Sequence, residues 1–130
     1  MLFDRQGRVL AQAQQEISCS FPLPGWVEQD AEQVWWSVLA VCRDVMHQAK
    51  QLQVRVCAMA ITNQRETSVL WHRDSHSVVA PAIVWQDRRT QERCQQLREQ
   101  GFESLLQQKT GLCADPYFSA SKLQWLLDQY

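Results

Sequence analysis

Residues 54–62, VRVCAMAIT, are apolar apart from Arg55 and the closing Thr62, and they run directly into Asn63-Gln64-Arg65-Glu66. A run of this kind has the pattern of a strand covered on both faces, because a strand with one wet face alternates. Such a strand is expected in the middle of a sheet, with the rest of the chain supplying layers around it. A second stretch echoes the arrangement: Ile83-Val84-Trp85 leads into Gln86-Asp87-Arg88-Arg89. Polar side chains that follow directly on a buried strand emerge at one rim of a sheet, and in open α/β folds that rim is where ligands sit.

The flanking sequence reads as an α/β domain. Residues 2–4 and 9–17, on either side of Arg5-Gln6-Gly7-Arg8, predict a β-hairpin with a shortened first strand. Pro22, Pro24 and Gly25 interrupt regular structure until Asp30, which can cap a helix over residues 31–50. The apolar residues of that helix, Val34, Trp35, Val38, Leu39, Val41, Cys42, Val45, Met46 and Ala49, recur at three and four, so one broad face is expected to pack on a sheet. Residues 67–72 and 78–85 are two further β-rich runs around the polar loop 73–77. A helix from Arg88 to near Gly101 turns Cys94 and Leu97 inward, and a short one over residues 103–109 stops at Gly111. After the loop Asp115-Pro116-Tyr117-Phe118, Ser119 can cap a last helix with Leu123, Leu126 and Leu127 on one side.

With 130 residues the chain is one domain's worth or less, long enough to bury a core but too short for two domains. A formal net charge of −1 gives no reason to expect nucleic acid or an anionic membrane as partner. No apolar run is long enough to span a bilayer and no signal-peptide pattern opens the chain, so a cytoplasmic location is expected. The five cysteines, Cys19, Cys42, Cys57, Cys94 and Cys113, include no CxxC pair and read as reduced core thiols. The start reads as the second half of a strand and the end follows directly on a helical pattern, as if the chain were cut from a longer one.

Arg65 offers a planar fork of donors and Glu66 two acceptor oxygens. Together they can bind the hydroxyls of a polyol, each of which is both donor and acceptor. The same two residues also read as a plain surface ion pair. Trp85, which ends an apolar run and leads into a charged cluster, and Tyr117 could supply the aromatic wall that packs on the C–H face of a polyol. Trp26, Trp35, Trp36 and Trp125 read as core or interface packing. His47, His72 and His76 share no metal-ligand spacing, and Asp87, Asp115 and Asp128 read as cap or turn residues. With four glycines in all, there is no glycine-rich phosphate loop, and no nucleophile has an obvious base. Residue chemistry alone leads to a polyol-binding half-site.

Five stretches add to that reading: Pro24 to Asp30 (PGWVEQD), Ile61 to Thr67 (ITNQRET), Ala82 to Thr90 (AIVWQDRRT), Thr110-Gly111-Leu112 and Asp115 to Ser119 (DPYFS). In these the chain resembles the FGGY family of carbohydrate kinases, in family order and spacing over nearly its whole length. NQRET, VWQDRRT and DPYFS are particular to the members that act on glycerol. The resemblance implies a ribonuclease H-like (actin/hexokinase-like ATPase) domain, partial and lacking its first strand. It implies glycerol as substrate, with Arg65, Glu66 and Tyr117 hydrogen-bonding it and Trp85 behind its carbon chain. It implies ATP and Mg2+ for a longer parent protein, with homo-oligomeric assembly expected there. The family's phosphate-binding turn and its catalytic aspartate match nothing in this chain, so the chain by itself is expected to be inactive. Ala120-Ser121 stands where the family usually has Gly-Thr. A sister kinase for another polyol or ketose, and a non-catalytic binding or assembly module, are the alternatives.

Overall fold

The computed structural model describes residues 1–130, which fall into two compact units, one of residues 1–18 and 32–63, the other of residues 19–31 and 64–130.

In the first unit, β1 (Leu2–Phe3) pairs antiparallel with β2 (Val9–Ala11). Asp4 closes the turn: its carboxylate accepts the backbone N–H groups of Gln6 and Arg8 and the Arg8 side chain, while Gly7 takes φ +79°. The second strand was expected to continue to residue 17 but ends at Ala11, because β1 offers only two residues to pair with. Helix α1 (Ala31–Gln51) starts directly after Asp30, as expected. At its end Val54 N–H reaches Ala49 O and Gln53 N–H reaches Lys50 O, with Gln53 left-handed at φ +54°. This is the Schellman closure, with glutamine where glycine is usual.

Two expectations fail in this unit, for one reason. Residues 54–62 form no strand, and the segment is exposed, Met59 to 77% and Ile61 to 85%. A strand covered on both faces needs hydrogen-bonded neighbours, and the only sheet in this unit is the two-stranded hairpin. The apolar face of α1 correspondingly has no sheet to cover: of α1, Ser37 and Ala49 are buried, whereas Trp35, Trp36, Val38, Cys42 and Met46 are exposed. Trp35 and Trp36 are therefore not core residues of this chain.

The second unit holds the core. β3 (Glu28–Gln29), which periodicity did not reveal, pairs antiparallel with β4 (Ala82–Ile83), and single bridges join Ser20 to Glu28 and Ser68 to Ile83. The hairpin expected around residues 73–77 is present: Trp71 bridges Val78, and His72 N–H bonds Ser77 O. Its strands are shorter than their apolar runs. Ile83 and Leu126 are fully buried with Ala80, and Leu70 and Trp125 pack against them. Helix α2 (Gln91–Glu99) buries Cys94, and α3 (Glu103–Thr110) ends on Gly111 at φ +72°. Helix α4 (Ser119–Gln129) buries Lys122 and Leu126, while Leu123 and Leu127 face water, so the expected leucine face is rotated. All five cysteines are free, but Cys94 alone is buried; the other four are exposed rather than core thiols.

Candidate functional site

Glu66 lies where the chain leaves residues 54–62, in left-handed backbone at φ +59°, a conformation that side chains other than glycine take uncommonly. It is held by α4. Ser119 donates to Glu66 Oε2 twice, from its backbone N–H at 2.8 Å and its hydroxyl at 2.6 Å. The Ser119 hydroxyl is the main reason that the Glu66 carboxyl sits below its ordinary 4.5, with the Ser119 N–H and the charges of Lys122 and Arg65 acting the same way and partial desolvation opposing them. Oε1 accepts no hydrogen bond from the chain and remains available. Arg65 is exposed and takes part in none of the ion pairs, which are Arg8–Asp4, Arg88–Asp115, Arg89–Glu28 and Arg89–Asp87. The surface-pair reading of Arg65 and Glu66 thus fails: the two project separate polar groups.

The aromatic pair is brought together. Trp85 and Tyr117 meet edge to face, centroids 6.0 Å apart and planes at 72°, and Tyr117 makes a similar contact with Phe118 at 5.2 Å. Both members are partly open to solvent, Trp85 at 41% and Tyr117 at 38%. The loop carrying Tyr117 is fixed from both ends. Asp115 Oδ1 accepts the Tyr117 N–H at 2.8 Å and Arg88 Nη1 at 3.3 Å. Lys122 Nζ donates to Pro116 O at 2.8 Å and Tyr117 O at 2.5 Å. Lys122 is 0% exposed, and burial pushes its amine below the usual lysine range, with Glu66 the foremost of the negative groups pulling it back.

Beneath this surface lies a buried ionic hub. Asp87, 1% exposed, accepts Val27 N–H and Arg89 Nη2 on one oxygen and Arg89 N–H and Nε on the other. The Arg89 guanidinium reaches on to Glu28 at 2.8 Å and lies over the rings of Trp26, 3.7 Å from the centroid, and Trp125, 4.7 Å. Trp26 and Trp125 are thus packing residues, as expected. Asp87 is more than a turn residue: it ties the segment before β3 to the segment after β4. With both oxygens filled it is not available to take a substrate proton.

By sequence Ser119 reads as a helix cap and as the end of DPYFS, and Lys122 is not singled out; in the structure Phe118 is the N-cap, and the Ser119 hydroxyl goes to Glu66 instead. A usable signal was present, since Lys122 stands four residues before Leu126 and so shares its inward face. Two depressions lie elsewhere, one of about 370 Å3 near Gln29 and Pro81 and one of about 440 Å3 near Arg93 and Gln124; neither is lined by Arg65, Glu66, Trp85 or Tyr117. Each of the four is at least partly open to solvent.

The residues present do not fit Mg-ATP. All four glycines have positive φ, Gly7 in a hairpin turn, Gly101 between α2 and α3 and Gly111 at a helix C-terminus among them, and they stand singly rather than in the glycine-rich run of a phosphate cradle. Nor does any group of three His, Cys, Asp or Glu side chains come together as metal ligands would.

A family model described as the N-terminal domain of the FGGY family of carbohydrate kinases matches residues 1–130. This chain belongs to the FGGY carbohydrate kinases. Among curated FGGY relatives, glycerol kinase of Variovorax paradoxus is 52% identical over 128 residues, covering 98% of this chain and 26% of the relative. Glycerol kinase of Acidovorax ebreus matches to the same extent. The chain therefore spans about a quarter of the length of the curated relatives it matches. Among solved structures, a Plasmodium falciparum glycerol kinase with ADP superposes with a TM-score of 0.90 at 27% identity, over 97% of this chain and 25% of that one. A ligand-bound xylulose kinase from Lactobacillus acidophilus, 19% identical with a TM-score of 0.86 over 98% of this chain and 25% of that one, shares the fold. The fold is thus part of the FGGY N-terminal domain, of the actin/hexokinase-like ATPase kind, as the motifs implied.

Proposed function

We propose that the full-length protein carrying this chain transfers the γ-phosphoryl group of ATP to glycerol, giving glycerol 3-phosphate, and that Arg65, Glu66, Trp85 and Tyr117 are its glycerol-binding half-site. The observation that carries this reading is the juxtaposition of a clamped carboxylate and an aromatic corner: Ser119, which holds Glu66, lies two residues beyond Tyr117, whose ring meets Trp85. The roughly 50% identity to glycerol kinases supports glycerol over a larger polyol.

Glu66 Oε1 accepts a hydroxyl hydrogen, Arg65 donates to hydroxyl oxygens, and the Trp85 and Tyr117 rings cover the C–H face and keep water from it. Holding the triol in one orientation presents a terminal hydroxyl for transfer, and such positioning supplies much of the acceleration in phosphoryl transfer. ATP, Mg2+ and the group that accepts the hydroxyl proton belong, in this proposal, to the parts of the protein outside these residues. The reaction would run in the cytoplasm, in a homo-oligomer.

The test is phosphorylation of a polyol panel by the full-length protein and by Arg65→Ala and Glu66→Ala variants. Each substitution removes hydrogen bonds to a charged group, about 1.5–3 kcal/mol, so kcat/KM for glycerol should fall on the order of 10- to 100-fold. Glycerol should be the preferred acceptor, and the 130-residue chain alone should show no turnover. An unchanged response to glycerol in both variants would remove the assignment.

A further inference from the structure

Two side chains one turn apart on α4 reach both halves of the glycerol site without belonging to either. Ser119, at the start of the helix, places both of its donors on the same oxygen of Glu66, so that Oε1 alone is left to accept from a ligand. Lys122 is fully buried on the same face and has no carboxylate partner within ion-pair distance. Its ammonium instead spans two consecutive carbonyls, those of Pro116 and Tyr117. An ammonium taken wholly out of water is costly unless its donors are satisfied, so this lysine persists because the loop wraps around it. Glu66 in turn sits in a left-handed conformation that its surroundings must enforce.

We infer that Ser119 and Lys122 are positioning residues for the acceptor substrate. Ser119 fixes the Glu66 carboxylate so that a single oxygen faces the ligand. Lys122 pins the Pro116-Tyr117 backbone and thereby sets the Tyr117 ring against Trp85. The inference rests on the proposed acceptor site and deepens it: the first turn of α4 sets, together, its hydrogen-bonding side and its aromatic side. Neither residue touches substrate. The charged or titratable groups facing this pair are Glu66, Asp87, Cys94 and Asp115 around Lys122, and Lys122 and Arg65 around Glu66.

The experiment uses the full-length protein with Ser119→Ala, Ser119→Thr and Lys122→Met, read by steady-state kinetics over a polyol panel and over pH, with thermal melts as a check on folding. Ser119→Ala should raise KM for glycerol about tenfold while KM for ATP stays constant, and Ser119→Thr, which keeps the hydroxyl, should restore most of the loss. Loss of the hydroxyl should also move the acid limb of kcat/KM for glycerol upward, toward the ordinary carboxylate range, a change that a merely structural residue would not produce. Lys122→Met should raise KM for glycerol and narrow the preference for glycerol over larger polyols. If Lys122→Met does not fold, the Ser119 pair decides. A folded Ser119→Ala protein with unaltered glycerol KM and acid limb overturns the inference while leaving the proposed function standing. A wild-type protein that phosphorylates no polyol overturns both, and one that prefers another polyol overturns the substrate assignment alone, the same variants then being read on that polyol.

Discussion

Glu66 keeps one carboxylate oxygen committed to Ser119 and the other uncommitted, and that asymmetry has a signature in pH. The Ser119 donors hold the folded-state carboxyl below its ordinary 4.5. A group whose pKa is lowered on folding contributes stability that is fully present above its unfolded value and is lost as pH falls through the folded one. The stability difference between the 130-residue chain and its Ser119→Ala variant should therefore be constant above about pH 5 and shrink as the solution is acidified below it. Urea titrations at a series of pH values measure this, and a difference that grows on acidification would contradict the assignment. Asp87 belongs to the same scale with a larger effect. Replacing it with alanine leaves the Arg89 guanidinium, 2% exposed, with Glu28 as its only carboxylate. Breaking a buried pair from one side costs about 3–5 kcal/mol, so Asp87→Ala should lose that much in urea unfolding; a loss below about 1 kcal/mol would show that water or Glu28 compensates.

Elements were legible where their signal is local. Helix α1 begins directly after Asp30, α3 stops at a glycine, and the hairpin around residues 73–77 follows from its polar loop. Strand lengths were not legible, since a strand ends where its partner ends, and β1, β3 and β4 have two residues each. The end of α1 allows a test at this scale. Gln53 sits at φ +54°, where a side chain costs about 1–2 kcal/mol and glycine almost nothing beyond its chain entropy. Gln53→Gly should therefore stabilise the 130-residue chain by about 0.5–1 kcal/mol, measured as a higher urea midpoint at unchanged slope. A lower midpoint would mean that the glutamine side chain contributes more than its backbone strain costs.

In the molecule as a whole, burial is uneven: the tight core lies in residues 19–31 and 64–130, whereas the apolar segment 54–62 is exposed. Thiol labelling of the 130-residue chain should show this directly. Cys19, Cys42, Cys57 and Cys113 should react at the rate of open thiols, and Cys94, 2% exposed, only at the rate of unfolding. Slow labelling of Cys57 would mean that residues 54–62 are covered. The sequence by itself determined the chemistry on offer: a carboxylate and a guanidinium in tandem at Glu66 and Arg65, two aromatic residues in polar company, and motifs carrying the family. These are properties of residue type and order, and folding does not change them. Tertiary structure alone decided that Glu66 bonds Ser119, 53 positions away, rather than its neighbour Arg65. It also decided that Lys122 fills a core position beside Leu126 while Leu123 and Leu127 face water, and that an apolar run can remain unpaired. Each depends on which groups meet across long separations in the chain, and neither periodicity nor local propensity carries that information.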